Sequence, residues 1–229
     1  MPNCQSEKPS NILIIGDVHG CVRTFKSLVE QYWIEPDILI QLGDLIDRGN
    51  FSGETIQFIQ QLQKLHPHRV VVLRGNHEQE LIEYVQTESN KNWLRQRGHK
   101  TLASFLKAGV SLFETAAWMK NLPLYWQNQY IFVSHAEVSI DTDCPFNTDN
   151  PDEILRTRQQ LKNIGKVQIV GHTPTKSRQI EHDARSNSWY IDTGACFGNS
   201  LSAIKLTCKG FVVGTYQVVT KAGDVTKID

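Results

Sequence analysis

The sequence has no excess of charge of either sign, because 24 lysines and arginines balance 24 aspartates and glutamates. This balance excludes a general positive field that would attract nucleic acid or an anionic membrane, so recognition of an anion must depend on local groups. Apolar runs are short: none approaches the roughly 18 residues of a membrane span, and residues 1–10 are polar, unlike a signal peptide. We therefore expect a cytoplasmic protein with no membrane or nucleic-acid partner.

Cysteine is scarce and scattered. The five cysteines are odd in number and lack the close paired spacing of a zinc site. A disulfide framework is not expected, and these side chains are interpreted as small buried hydrophobes. Cys21 and Cys196 lie beside polar clusters described below, which leaves a redox-sensitive thiol as the alternative for those two.

The N-terminal third alternates between short apolar runs and amphipathic segments. The pattern predicts strands at Asn11–Ile15, Asp37–Leu42 and Arg69–Leu73, and helices at Cys21–Tyr32 and Ser52–Leu65. Helices between strands favour a parallel sheet joined by right-handed crossovers. The ligand site of such a sheet forms at the carboxyl ends of its strands.

The sequence pattern changes in the middle of the chain. From about residue 79 to 126 the pattern is helical and rich in charge, glutamine and tryptophan, and we interpret it as a helical cap. Trp93, Arg95 and Arg97 in this segment either line the approach to a ligand site or serve as packing and solvated surface. With 229 residues the chain can bury roughly 70–75% of its unfolded surface, so we expect one domain, 1–229, that contains the cap.

Strand-like runs resume in the second half. They cover 129–133, 167–170 and 189–191, and the runs 202–206 and 211–219 alternate as a hairpin around Lys209-Gly210. A helix is predicted to begin at Asn150-Pro151 and to end at Gly165. The second half is therefore expected to form a second, more antiparallel sheet within an α/β fold.

Six short polar clusters each follow an apolar run. They are Gly16–Gly20 (GDVHG), Gly43–Gly49 (GDLIDRG), Gly75–Glu78 (GNHE), Ser134–Ala136 (SHA), Gly171–Thr173 (GHT) and Asp192–Gly194 (DTG). A single Gly-Asp pair is usually only a turn. Asp, Asn and His at several strand ends, however, are the residues that can hold two divalent metal ions over a phosphate.

The clusters contain a plausible set of metal ligands. Asp17 and His19 lie two residues apart in one tight loop and can aim at one ion, while Asp44 enters from the neighbouring strand and could bridge two. Further donors come from Asn76, His135 and His172. Oxygen and imidazole ligands without thiolate favour manganese, iron or zinc over calcium. Two such ions would lower the pKa of a shared water and hold phosphoryl oxygens for in-line displacement.

The remaining polar residues of the clusters suggest a general acid. A serine leaving group needs a proton, and His77, which is next to Asn76 but is not needed as a ligand, is the best candidate. Asp47 could orient His77, and Arg48 offers a bidentate fork to a phosphate. Asp192 either supports the site or forms a turn. Four other histidines are interpreted as surface or hydrogen-bonded residues: His66, His68, His99 and His182.

The ordered set GDVHG, GDLIDRG, GNHE, SHA and GHT resembles the phosphoprotein phosphatase family of calcineurin-like metallophosphoesterases over residues 12–199. The sequence is similar to the bacterial and phage enzymes of the lambda protein phosphatase type through GNHEQ followed by Asn92-Trp93-Leu94, through GHTP and through IDTGACFGN. The resemblance implies an α/β sandwich of two mixed β-sheets flanked by helices, with a helical cap insertion. It also implies a metal-dependent phosphomonoesterase that acts on proteins at serine and threonine, with tyrosine as a further alternative.

The resemblance further implies two divalent metal ions, with manganese favoured and iron or zinc as alternatives. The ligands implied at one site are Asp17, His19 and Asp44, and those at the other are Asp44, Asn76, His135 and His172. The implied acid pair is His77 with Asp47, and the implied phosphate contacts are Arg48, Asn76 and Arg158. Such relatives place tryptophan two residues before the last arginine, where this chain has Arg156. A solvated helix charge is the alternative for Arg158.

Phosphorylated proteins or peptides are the expected partners. The main enzymatic alternative is a dinucleoside polyphosphate hydrolase similar to the symmetrical diadenosine tetraphosphatases. Those relatives typically lack the aspartate of the DRG motif and carry GNHD, so Asp47 and Glu78 favour the protein phosphatase. A nucleic acid end phosphatase and a catalytically silent phosphate-binding regulatory module are further alternatives. The complete set of ligands and acid argues against the silent module.

Overall fold

The computed structural model describes residues 11–87, 90–137, 154–158 and 161–226, except for the side chains of 96 and 97. Its strands are β1 Asn11–Ile15, β2 Ile38–Gln41, β3 Val70–Val72, β4 Tyr125–Gln127, β5 Ile131–Ser134, β6 Val167–Val170, β7 Glu181–Asp183, β8 Ser188–Tyr190, β9 Ser200–Thr207 and β10 Val212–Val219. Its α-helices are α1 Val22–Tyr32, α2 Ser52–Leu65, α3 Asn76–Thr87, α4 Lys91–Trp93, α5 His99–Ala108 and α6 Leu112–Lys120. A π-helical turn at Leu94–Gly98 separates α4 from α5, and a 3-10 turn covers Ala195–Phe197.

The first sheet has the strand order β10-β9-β1-β2-β3. Strands β1, β2 and β3 are parallel, as the alternation of strands and helices predicts. The C-terminal hairpin, β9 with β10, was expected in the second sheet, and this expectation is wrong because β9 pairs antiparallel with the free edge of β1. The reason lies in β9 itself, which is buried from Ser200 to Leu206 and therefore needs cover on both faces.

The second sheet has the order β4-β5-β6-β8-β7. Its three central strands are parallel to one another, and only the edge strands β4 and β7 are antiparallel. The sheet is therefore mixed, with two parallel and two antiparallel pairings as in the first sheet, and the expectation that it would be the more antiparallel of the two is corrected. Both edge strands are three residues long, too short for their periodicity to be recognised in the sequence.

The two sheets pack face to face, and alternate residues of β1 show the layering. Ile12 and Ile14 point into a core between the sheets, which they share with Ile131 and Val133 of β5. Leu13 lies in the opposite core, beneath the helices. A smaller core covers the outer face of the second sheet. This arrangement confirms the sandwich of two mixed sheets flanked by helices.

The segment interpreted as a cap is largely helical. Its helices begin at Asn76 and end at Lys120, and Tyr125 and Trp126 belong to β4. Residues of α3, α5 and α6 share the core of α1 and α2 on the first sheet. Trp93 is 2% exposed within that core, so of its two interpretations the structure favours packing. The helix predicted between Asn150 and Gly165 is wrong in the part that the structure describes, because only Ile154 and Leu155 are helical there and residues 156–158 and 161–165 are not. Residues 150–153, 159 and 160 lie outside the described residues.

The cysteines beside the clusters are buried. Burial raises the pKa of Cys196 to about 11 and raises the pKa of Cys21 above its ordinary range. Both observations favour the interpretation of these thiols as packing residues, since the thiolate is the reactive form. Cys4 and Cys144 lie outside the described residues. Among the helices in the described ranges, none is long and apolar enough to cross a membrane.

Candidate active site

The predicted ligands meet where the carboxyl ends of the parallel strands of both sheets face each other. Asp17 and His19 follow β1, Asp44 follows β2, Asn76 follows β3, His135 follows β5 and His172 follows β6. All six side chains are buried. Parallel strands end at one edge of a sheet, which is why clusters separated by long stretches of sequence converge here.

The first group of ligand atoms is formed by His19 and Asp44. The Nδ1 atom of His19 donates to the carbonyl oxygen of Ile46 at 2.8 Å, which leaves Nε2 with its lone pair. This Nε2 lies 3.3 Å from Asp44 Oδ2 and has no hydrogen-bond partner among the described residues. Burial and the Arg48 charge lower the pKa of His19, so its ring is neutral. A buried lone pair that faces a carboxylate oxygen is a site for a cation.

The second group surrounds Asn76. Its Oδ1 lies 3.0 Å from His135 Nε2 and 2.8 Å from His172 Nδ1. His135 Nδ1 donates to the carbonyl oxygen of Leu42, so Nε2 faces Asn76 and also Asp44 Oδ1, at 3.4 Å, as an acceptor. Burial and His135 lower the pKa of His172 to about 3. The lone pair of His135 Nε2 thus faces two acceptor oxygens, Asn76 Oδ1 and Asp44 Oδ1, with no proton between them, and such a set of donors suits a cation.

Asp17, which follows a strand of the first sheet, contacts His172, which follows a strand of the second. Both of its oxygens accept from the backbone N–H of His172, at 3.1 and 3.2 Å. Gly171 permits this approach, because a Cβ atom there would lie 2.2 Å from Asp17 Oδ1. Burial raises the pKa of Asp17, and Asp192 and Asp44 raise it further. Asp192 forms a turn through Oδ1 and Gly194 N, while its buried Oδ2 has no partner among the described residues.

These donors fit divalent metal ions. His19 with Asp44, and Asp44 with His135 and His172, belong to groups whose ligand atoms all lie within 4.8 Å of one another. Ligand bonds of about 2.0–2.2 Å place neighbouring donors about 3 Å apart, the spacing found around Asn76 and Asp44. The orphaned acceptor His19 Nε2 supports the same assignment. The structure thus brings five of the six predicted ligands within a few ångströms of one another, and Asp17 reaches them through the backbone N–H of His172.

The predicted acid pair is also formed. His77 Nδ1 lies 2.6 Å from Asp47 Oδ2. The same carboxylate accepts from the Trp93 indole N–H at 2.8 Å and from the Thr101 hydroxyl. Burial would lower the pKa of His77, but Asp44 and Asp47 outweigh this effect and raise it to about 9. Asp47 therefore holds the ring with Nδ1 protonated and Nε2 directed away from the pair.

A cavity of about 290 Å³ opens over this pair and the second group of ligands. It is lined by Arg48, Asn76, His77, Glu80, Arg156, Arg158 and His172. Arg48 Nη2 lies 3.2 Å from His77 Nε2, and Arg158 Nε lies 3.3 Å from His172 Nε2. The two arginines predicted to contact phosphate thus face the cavity beside opposite members of the site. Arg158 is exposed but does not lie in a helix, and because it lines the cavity the interpretation as a solvated helix charge is not supported.

Several residues of the site have strained backbone conformations, and Glu78 stabilises the backbone around Asp44 by hydrogen bonds. Positive φ angles occur at His19, Asp44, Asp47, Arg48 and His172, a conformation that non-glycine residues seldom adopt and that clusters at functional sites. Glu78 is fully buried and accepts three backbone N–H bonds, from Asp44 at 2.7 Å and from Leu45 and Gly75 at 2.8 Å. Its carboxylate fixes the turn that presents Asp44.

Sequence reasoning missed several residues of this site. They are Glu78 as a clamp on the backbone, Trp93 and Thr101 as donors to Asp47, and Arg156 as a lining residue. Of these residues, only Glu78 could have been recognised from the sequence, through its place in the GNHE cluster. The four histidines interpreted as surface or hydrogen-bonded residues are absent from the cavity lining, and three of them, His68, His99 and His182, are exposed.

Comparison with known proteins agrees with this geometry. The sequence is 26% identical to serine/threonine-protein phosphatase 1 of Salmonella typhimurium, over 86% of this chain and 92% of that protein. It is 35% identical to the symmetrical bis(5'-nucleosyl)-tetraphosphatase of Aromatoleum aromaticum, over 49% of this chain and 39% of that protein. A protein serine/threonine phosphatase structure from Saccharomyces cerevisiae shares the fold, with a TM-score of 0.70, 16% identity, and coverage of 94% of this chain and 82% of that one.

The sequence model of the calcineurin-like phosphoesterases matches residues 10–198. This range contains every cluster from GDVHG to DTG, and with them all the converging ligand atoms, the acid pair and the arginines of the cavity. A match that spans most of the chain and the whole of the site shows that the chain belongs to the calcineurin-like phosphoesterase family, the metallophosphoesterases.

Proposed function

We propose that this metallophosphoesterase is a protein phosphatase that removes phosphate from serine and threonine of phosphorylated proteins or peptides, with phosphotyrosine as a further alternative substrate. The observation that carries the proposal is the His77–Asp47 pair, 2.6 Å apart, with Arg48 beside His77 Nε2. A serine alkoxide is strongly basic and leaves readily only when it is protonated. An oriented acid next to a phosphate-binding arginine meets that need. Similarity to the Salmonella phosphatase over most of both chains supports the proposal.

Metallophosphoesterases use a dinuclear centre of divalent metal ions, which when bound supplies a water of lowered pKa and positive charge near the phosphoryl oxygens. We assign one ion to Asp17, His19 and Asp44, and the other to Asp44, Asn76, His135 and His172. The ligand chemistry favours manganese, with iron or zinc as alternatives.

The other residues of the cavity bind the phosphate and protonate the leaving group. Arg48 and Arg158 lie beside His77 and His172, so their guanidinium groups can hold a phosphate from two sides. Asn76 contributes its side-chain amide to the same phosphate. His77 gives the proton on Nε2 to the departing oxygen, and Asp47 fixes the ring through Nδ1.

A dinucleoside tetraphosphate hydrolase is the second candidate. It is favoured by the local 35% identity to the Aromatoleum tetraphosphatase and by a third arginine, Arg156, in the cavity lining. A silent phosphate-binding module would bind phosphate without turnover, and the complete acid pair argues against it.

The substrate test uses protein reconstituted with Mn²⁺. We would measure kcat/KM for phosphoserine, phosphothreonine and phosphotyrosine peptides, for diadenosine tetraphosphate and for an aryl phosphate. The proposal predicts the highest values for the serine and threonine peptides. A clear preference for diadenosine tetraphosphate would establish the second candidate instead, and metal-loaded protein that turns over none of these compounds would identify a binding module.

The acid is tested through the leaving group. His77→Asn should lower kcat on a phosphoserine peptide by about 10²–10⁴ and clearly less on nitrophenyl phosphate, whose leaving group needs no proton. The matched control is His68→Asn, which changes an exposed histidine outside the cavity lining. Equal losses on both substrates, or loss of metal from the His77 variant, would show that His77 has another role.

A further inference from the structure

Three arginines and one glutamate line the cavity: Arg48, Arg156, Arg158 and Glu80. Arg48 lies beside His77, and Arg158 lies beside His172. Two guanidinium groups already match the charge of one phosphomonoester. Arg156 carries a third guanidinium group. Its Nη1 donates to Glu80 Oε1 at 2.9 Å, and this ion pair connects Arg156 to the site.

The contact through Glu80 places Arg156 on one side of the cavity. Ligand atoms of Glu80, His77 and Asp47 all lie within 4.8 Å of one another. His77 is the proposed acid, so Glu80 and Arg156 stand on the side of the cavity from which the protonated leaving group would depart, whereas Arg158 stands beside His172. A group bound by Arg156 would therefore belong to the part of the substrate that departs.

The Arg156–Glu80 pair is accessible to such a group. The side chain of Arg156 is 36% exposed and that of Glu80 is 16% exposed. An ion pair with this exposure contributes little to stability because solvent screens it, so a purely structural tie between 154–158 and α3 explains the pair poorly. A guanidinium carries five N–H donors and can bind a second anion while it keeps its carboxylate partner.

We propose that Arg156, held in place by Glu80, forms a second anion subsite on the leaving-group side of the cavity, and that preferred substrates carry a second phosphate there. The inference rests on the proposed phosphate hydrolysis at the adjacent site. The second phosphate can come from a neighbouring phosphoserine of a peptide or from a phosphoanhydride chain. Both sources present the same dianionic oxygens to Arg156.

The test compares substrates with one and two phosphates in the Mn²⁺-loaded protein. The wild type should prefer a doubly phosphorylated peptide over the same peptide with one phosphate, and diadenosine tetraphosphate is measured beside them as the phosphoanhydride source. Arg156→Gln should lower this ratio of kcat/KM values about tenfold or more, which is the effect of losing one charged hydrogen bond, and Arg156→Lys should restore part of it. Arg185→Gln is the control, because Arg185 is an exposed arginine, paired with Asp183, outside the cavity lining.

The outcomes separate this subsite from the proposed function. Loss of preference confined to the peptide assigns the second phosphate to a phosphopeptide. Loss confined to diadenosine tetraphosphate assigns the second phosphate to a phosphoanhydride chain, and the wild-type kcat/KM values of the peptides decide separately whether the peptide phosphatase stands. A ratio that Arg156→Gln leaves unchanged overturns the subsite while the phosphatase stands. Calorimetry with non-hydrolysable phosphonate peptides carrying one or two anions gives a readout without turnover, and equal affinities in wild type and variant would also overturn the subsite.

Discussion

The sharpest structural prediction concerns Glu78, which does not line the cavity described above but holds the loop of Asp44. The Oε2 atom of Glu78 accepts from the backbone N–H groups of Asp44 and Gly75, and Oε1 accepts from that of Leu45. In Glu78→Gln the amide has one acceptor oxygen and one NH₂ group. In either orientation at least one buried backbone N–H then faces another donor.

The expected loss of stability follows from the number of backbone N–H groups that lose their acceptor. Burial and the Asp44 charge raise the pKa of Glu78 to about 7, so the comparison is made above that pH, where the carboxylate is charged. A buried hydrogen bond to a charged group contributes about 1.5–3 kcal/mol, so Glu78→Gln should lower the free energy of unfolding by about that amount. For a chain of this length the loss corresponds to a fall in Tm of roughly 3–12 °C. Asp44 sits at a φ of +53°, a conformation that needs outside support. Loss of such support for a metal ligand should weaken metal affinity roughly 10- to 100-fold.

Thermal unfolding of the metal-free protein and calorimetric titration with Mn²⁺ measure the two effects separately. Glu83→Gln is the control, because Glu83 lies on the same helix, is half-buried and accepts one side-chain bond, from Gln79. It should change stability by no more than about 0.5 kcal/mol. If the Glu78 and Glu83 variants unfold at the same temperature and bind Mn²⁺ equally, the assignment of Glu78 as the clamp of the Asp44 loop is wrong.

Further predictions follow from the same contacts. Asp44→Asn should lower metal content and aryl phosphatase activity together, since Asp44 faces both ligand groups; a folded variant with normal turnover would refute the shared ligand. Asp37→Asn, at the other end of β2, should keep its metal but lose about 3–5 kcal/mol of stability, because Asp37 forms a buried 2.7 Å pair with Lys205; denaturant unfolding and metal analysis check both. Trp93→Phe keeps the packing and removes the N–H bond to Asp47, so kcat on phosphoserine should fall roughly 3- to 10-fold and more than on nitrophenyl phosphate; equal kcat values would deny Trp93 a role in holding the acid pair.

The local sequence determined the elements and the chemistry of the site. Apolar runs and helical periodicity located β1, α1, β2, α2 and β3 within a residue or two. Polar clusters at the strand ends were sufficient to predict that their side chains meet, because parallel strands end at a common edge. Residue type then predicted metal ligands, an acid and phosphate-binding arginines, and the structure brings those residues into one site.

Tertiary structure decided what depends on contacts between distant segments. The sequence of the β9–β10 hairpin is compatible with either sheet. The hairpin joins the first sheet because β1 has a free edge there and because the buried strand β9 needs cover on both faces. Trp93 and Thr101 reach Asp47 across 46 and 54 residues of sequence, and Arg156 reaches Glu80 across 76. No periodicity records such pairs, because periodicity describes which face of an element is buried, whereas the partner of a side chain is fixed only when the elements pack.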